Sequence, residues 1–296
     1  MRKIRSCAGN TLATGQSGCQ IDFGKIKAVI LVPHGQKLGE NITKGSLGEK
    51  CHADLPNRIY PIKTIVEYAK NGGEPQVSAV GYGGNGVTGI SAQTDTFTVD
   101  KFSEHLAASL SKNMNKRFDA YYVDENNLLI GINDGTDILA GIPMSTVYPN
   151  VTPHPTSSAK ATLTVSCCLE DARAAVENFD YVQLDFNPMD ELTGLVSVDV
   201  IRTEAHKYKI VETIGGYDRT AEFGTAIATA GTTVCEGGTA ISYDSANNVL
   251  NFTETENVTT GLVLKAASVL YTNHIVGIEY NRTLGVESLQ PSGEHT

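Results

Sequence analysis

Apolar and polar side chains alternate with a period of two along most of the chain. In Lys160–Cys167 the alternation sends Ala161, Leu163, Val165 and Cys167 to one face and Lys160, Thr162, Thr164 and Ser166 to the other, as in a half-buried strand. Leu195–Ile201 repeats it with Val196, Val198 and Val200 inward. Ala120–Val123 and Leu128–Ile132 flank Asp124–Asn127, a polar turn that predicts a hairpin. Thr239–Tyr243 and Val249–Thr253 predict another around Asp244–Asn248, and His274–Tyr280 reads as one more strand.

The period changes once in a sustained way. From Asp100, read as an N-cap, Phe102, Leu106, Leu110 and Met114 recur every fourth residue, and Lys112, Lys116 and Arg117 gather where cations suit the helix dipole. This predicts an amphipathic helix over about residues 100–115. Shorter helices are expected at Leu264–Leu270 and Glu170–Val176. The fold class read from these signals is mainly β, a sandwich or barrel-like sheet with one flanking helix.

Asn187–Gly194 breaks the strand pattern, which places a domain boundary there: a β-rich domain over 1–190 and a smaller one over 191–296. Strand, hairpin, short helix and strand in the second resemble an immunoglobulin-like sandwich. Residues 33–61 form a polar, Gly-containing stretch with little periodicity, a long loop of the kind that tends to be functional. Asn133–Ser158, with its Pro- and Ser-rich end, is a second such segment.

Composition narrows the function classes. With 33 acidic against 23 basic residues and a formal charge of −10, the chain has the wrong sign for a general nucleic-acid binder, although a surface that DNA slides past would gain from repulsion. The longest wholly apolar run, Ala28–Val32, is far below the about 20 residues that span a bilayer, and no signal peptide is visible, so no membrane partner and folding in a cytoplasm are expected. Cys7, Cys19, Cys51, Cys167, Cys168 and Cys235 are scattered, form no Cys-x-x-Cys pair and read as reduced thiols.

Candidate chemistry is sparse. Gly81–Gly86 (GYGGNG) matches the G-x-G-x-x-G dinucleotide fingerprint, but the sequence runs on as Val87–Phe97, a strand, where the motif needs a helix; a Gly-rich turn between strands is the reading adopted. Cys51, His52 and Asp54 are the nearest approach to a metal site, and His105 reads as a rim residue of the helix. The carboxylate pairs Glu170–Asp171, Asp190–Glu191 and Glu254 with Glu256 read as solvated loop charges. With no Trp, and with Tyr121 and Tyr122 adjacent and therefore on opposite faces, no aromatic platform is evident. No catalytic, cofactor-binding or metal-binding residues are assigned, and no enzyme activity is expected.

Four segments carry a family likeness. Cys19–Gly35 (CQIDFGKIKAVILVPHG), Arg58–Ile62 (RIYPI), Val80–Gly84 (VGYGG) and Ala120–Asn127 (AYYVDENN) resemble virion structural proteins, tail tube or tail ring among them, of tailed phages and prophages of gut Bacteroidetes; the likeness spans about residues 19–200. It implies a structural subunit of a phage tail, located in the virion. Its partners would be copies of itself in a ring, hexameric or higher, other tail proteins, and genomic DNA passing through the lumen unbound. Under it, 33–61 is the first candidate for an inter-subunit arm and Asn133–Ser158 the second. Two alternatives stand beside it: a head–tail adaptor, head fibre or capsid-decorating protein, and a surface adhesion or sugar-binding module.

Overall fold

A computed structural model describes residues 22–79, 81–152, 154–155, 157, 160–254 and 261–281. They are mainly β, arranged in several sheets, and fall into two compact units. The first takes the chain up to Leu47, Tyr60–Ser103 and Ala107–Leu192; the second takes Gly48–Ile59, Glu104–Leu106 and the chain from Thr193 on. The main division thus lies between Leu192 and Thr193, against an expected 190/191, and two short upstream segments join the second unit.

In chain order, the first unit and the segments that interrupt it contain β1 (Ile26–Pro33), α1 (Lys44–Cys51), β2 (Tyr60–Ile62), β3 (Ile65–Gly72), β4 (Pro75–Ala79), β5 (Asn85–Ile90), β6 (Gln93–Val99) and α2 (Glu104–Lys112). There follow β7 (Phe118–Asp124), β8 (Leu128–Ile132), β9 (Ile142–Thr152), β10 (Thr162–Leu169), α3 (Ala172–Glu177) and β11 (Phe179–Gln183). Nine of these strands make one sheet, ordered β11-β8-β7-β9-β10-β6-β3. β1 pairs antiparallel with β7 and also with β2, and β2 leads through Lys63 and Thr64 into β3, so the ladder returns to the segment it left. β7 forks: its last residues pair with β8 and its first with β9. β3 and β11 are the two ends of the strand order.

Burial explains why the central strands read as apolar runs. Ala28–Val32 are each no more than 1% exposed, and Asp119–Asp124 and Leu128–Ile132 are buried throughout, so both faces of β1, β7 and β8 are covered. β10 keeps the expected alternation except at Ser166, with Leu163, Val165 and Cys167 fully buried and Ser166 1% exposed as well. The β7–β8 turn is made by Asp124, whose Oδ1 accepts from the amides of Asn126 at 2.9 Å and Leu128 at 2.8 Å, while Asn127 takes φ 61°.

The expected long helix is shorter than its pattern. α2 starts at Glu104 because the Asp100 carboxylate is held by Lys160 instead of capping, and Met114 lies beyond its end, 42% exposed. α3 does have its cap: Asp171 accepts from the amides of Arg173 and Ala174.

The second unit holds β12 (Val196–Glu204), β13 (Lys207–Glu212), α4 (Thr220–Ala230), β14 (Cys235–Glu236), β15 (Gly238–Asp244), β16 (Val249–Glu254), β17 (Val263–Leu264), α5 (Ala267–Thr272) and β18 (Ile278–Tyr280). One five-stranded sheet, β15-β16-β13-β12-β18, carries a parallel β12–β18 pair; β14 and β17 form a separate small ladder. α4 packs on β13, β15 and β16, and its Phe223 and Ile227 join Val198, Ile210, Leu250 and Phe252 in the core. This corrects the immunoglobulin-like expectation: among the described residues a helix, not a second large sheet, covers the core face. The α4–sheet approach is close because Gly224 sits against the Tyr243 ring; a Cβ there would lie 2.4 Å from Cδ2.

Candidate assembly surface

The segment expected to be a loose arm is tied down. Within 33–61, Leu38, Leu47, Cys51 and Ile59 are buried and α1 forms, so the expectation of a long free loop is corrected. His34 Nδ1 and the Gly35 amide meet the Asp119 carboxylate at 2.8 and 2.7 Å. Lys37 pairs with Asp134, and that bond first of all lowers the Asp134 pKa to about 2. His52 is buried and stacked on Tyr271 at 4.4 Å; its Nδ1 bonds Gly48 O at 2.8 Å and its Nε2 accepts from the Gly277 amide at 3.0 Å. The second candidate arm, Asn133–Ser158, contains β9, a strand paired on both sides; residues 153, 156 and 158 lie outside the described ones.

The exposed extension lies elsewhere. After Gly72, β3 gives way to β4, and β4–β5 is a two-stranded ribbon paired with no other described strand. Gly72 and Gly73 both take positive φ, 80° and 81°, and a Cβ on Gly72 would lie 2.0 Å from Ala92 O, so only glycine permits this kink. Val77 pairs with Val87 and Pro75 with Ile90. With the register shift between Gln76 and Val77, Pro75, Val77 and Ala79 share their face with Ile90, Val87 and Asn85, whereas Gln76 and Ser78 face away with Gly89 and Gly86.

The ribbon is therefore two-faced, and its apolar face is uncovered. Val77 is 55%, Val87 67% and Ile90 37% exposed, and Tyr82 at the tip is fully exposed. From Pro75 to Ile90 the sequence has no charged residue, in a chain where 19% of residues are charged. Exposed strand edges are ordinarily guarded by lysine, proline or inward charges, and this ribbon has only Pro75. An uncharged ribbon with one exposed apolar face and two open edges is a candidate contact surface.

A second uncovered surface lies in the same unit. A cleft of about 730 Å³ opens on one face of the large sheet, with Tyr122, Ile130, Ile142 and Leu169 among its walls. Both end strands reach it, β3 through Val66 and Tyr68 and β11 through Phe179; α3 adds Val176. Phe23 packs edge-on against Phe179 at 5.7 Å and shapes one wall. Asp95, 2% exposed, accepts from Gln93 Nε2 at 2.9 Å, Tyr122 OH at 2.7 Å and Tyr68 OH at 3.3 Å. Three donors offset the cost of burying that carboxylate. Burial first, and the Asp95 charge second, push the Tyr122 and Tyr68 hydroxyls and the Cys167 thiol upward in pKa. All three stay protonated near neutrality, so the cluster is a structural tie and not a nucleophile with its base.

The remaining sequence-level candidates are dispersed. Gly81–Gly84 forms the ribbon's turn and Asn85–Gly86 starts β5, so no helix N-terminus follows the glycines to meet a pyrophosphate. Both His52 nitrogens are engaged, and no group of three or more His, Cys, Asp or Glu side chains suited to a metal occurs among the described residues. Glu170 pairs with Arg117, Asp171 caps α3, Asp190 accepts from Asn187, Glu191 pairs with Lys44, and Glu254 meets Tyr208; Glu256 lies outside the described residues. Cys167, Cys168 and Cys235 are free thiols, Cys51 is buried, and Cys7 and Cys19 lie outside the described residues. His105 Nε2 accepts from the Ser197 amide at 3.3 Å. No described helix is long and apolar enough to cross a membrane.

Alternation alone did not single out the ribbon, since it marks Val87–Phe97 merely as a strand. The usable signal was the absence of charge across sixteen consecutive residues, Pro75 to Ile90. Compared with known proteins, the chain matches no family model and no curated protein.

Proposed function

We propose that the protein is a structural subunit of a bacteriophage tail that assembles with copies of itself into rings or a tube conducting DNA. The observation that carries assembly is the β4–β5 ribbon, whose apolar face has no cover among the described residues. Fully burying a valine or isoleucine is worth about 1.5–3 kcal/mol, a gain this chain leaves for a partner to realise. The phage assignment draws on the likeness of residues 19–200, and the formal charge of −10 suits a wall that DNA passes without sticking. A large antiparallel sheet in a mainly β chain is also what the tail-tube-like arrangement implied by the likeness would contain.

Sedimentation and negative-stain imaging of the purified protein test the reading. Rings or tubes that grow with concentration are expected; a strict monomer at high concentration overturns it. Genes for a portal, a terminase and a tape-measure protein beside this one, and the chain in purified tails, are the expected signs of the phage assignment. Its absence from such particles overturns that part.

A further inference from the structure

The uncovered ribbon and the uncovered cleft belong to one unit yet do not fill one another within it. Val77 and Val87 are more than half exposed, and so are Val66 and Val176 at the cleft mouth, at 60% and 69%. We infer that the apolar face of the β4–β5 ribbon of one copy seats in the β3–α3–β11 cleft of a second copy, head to tail. The inference rests on the assembly reading and names its contact.

Three features favour a second copy's ribbon over other occupants. The cleft is flanked by the two end strands of its sheet, and an incoming strand can pair with an open edge while its side chains fill the apolar space, as in strand addition. The ribbon brings no charge, so seating it desolvates none of its own, and Lys25, Glu67 and Lys70 at the lining are exposed, meet no like charge and can keep their charged ends in water. The two patches are different surfaces of one molecule. Such a contact is heterologous: it leaves a free ribbon at one end and a free cleft at the other, and so propagates into a ring or a filament instead of stopping at a two-fold dimer.

That asymmetry supplies the test. The double variant V77D/V87D spoils the ribbon, and Val176→Asp spoils the cleft; all three positions are exposed, so both proteins should fold and melt like the wild type. Each alone is expected to lose assembly. Mixed in equal amounts they are expected to give one species with the mass of one copy of each, because the intact ribbon of the cleft variant fits the intact cleft of the ribbon variant and no further contact is possible. Should Val176→Asp fail to fold, Val66→Asp on the opposite lip replaces it. A mixture that stays monomeric while wild type assembles overturns the ribbon-in-cleft contact alone, as does a ribbon variant that assembles like wild type. Wild type that never assembles overturns the assembly reading and this contact with it. An apolar dye such as anilinonaphthalene sulfonate should bind the monomeric variants and be excluded from the wild-type assembly; equal binding to both overturns the contact and leaves the cleft to a small apolar ligand.

Discussion

β1 and the β4–β5 ribbon are equally strand-like and end in opposite environments. Five successive residues of β1 are sealed, because β2 and β7 pair with its two edges and side chains cover both faces. No residue of β4 or β5 is buried, although the ribbon carries a continuous apolar face of its own. Side chains of one type therefore find their partners inside the chain in one case and, among the described residues, no cover in the other. The difference teaches that the hydrophobic effect is fully used in β1 and left unused in the ribbon by the described residues around it.

The largest effect should come from breaking the sealed side. Phe97 is fully buried, with its ring centroid 5.1 Å from Tyr122 and 5.4 Å from Tyr68. Phe97→Ala should cost about 3–5 kcal/mol of stability, the range for truncating a buried aromatic ring, read from urea unfolding. A loss below about 1 kcal/mol would show that the sheet is not packed as described.

The hinge between the two regions comes next. Gly72→Ala places a side chain at φ 80° with its Cβ on the Ala92 carbonyl, so the β3–β4 kink must open. A strained backbone position costs about 1–3 kcal/mol. Hydrogen exchange should speed up in residues 72–92 and stay unchanged in β1 and β7. Uniform acceleration across both would show that ribbon and sheet unfold as one body.

A smaller, pH-dependent effect distinguishes the tied-down segment 33–61 from the ribbon. Burial lowers the His52 pKa below 6.5, helped by Arg58 and partly opposed by the Gly48 hydrogen bond. The folded state thus favours the neutral ring, while the unfolded chain takes up a proton as pH falls through 6.5. Its contribution is complete above that pH and declines from 6.5 down to the lowered folded value. Acidification from pH 7.5 to 5.5 should lower the stability of the wild type. His52→Phe, which keeps a ring to stack on Tyr271, should start lower by about 1 kcal/mol per lost hydrogen bond and lose that part of the slope. An unchanged slope would remove His52 as the anchor.

Legibility followed the same divide between local and distant causes. The β7–β8 hairpin was readable because Asp124 makes its turn with its own neighbours, and α3 because Asp171 caps it. α4 was not: TAEFGTAIATA mixes four Ala with three Thr and Gly224, which blur its helical signal, and it is held by packing against β15 and its Tyr243. Missing it made the second unit look like a sandwich of strands with one short helix. α1 shows little periodicity and is fixed by burying Leu47 and Cys51. The parallel β12–β18 pair joins residues about eighty positions apart, beyond any local pattern. The ribbon's strands were readable, its solvation was not, since alternation reports which residues share a face and never what covers it.

The smallest expected change is the one that most directly tries the comparison. Val77→Thr with Val87→Thr keeps β-branching, and so the preference for a strand, but replaces a methyl by a hydroxyl at each position of one cross-strand pair. In dilute protein, where no partner is present, the exposed pair contributes little, and unfolding should shift by no more than about 0.5 kcal/mol. The same variant at high concentration should assemble less readily than wild type, because the two methyls would have been buried between molecules. A dilute-solution loss above about 2 kcal/mol would mean that these valines already have cover within their own chain, and the contrast between the sealed strand and the open ribbon would be gone.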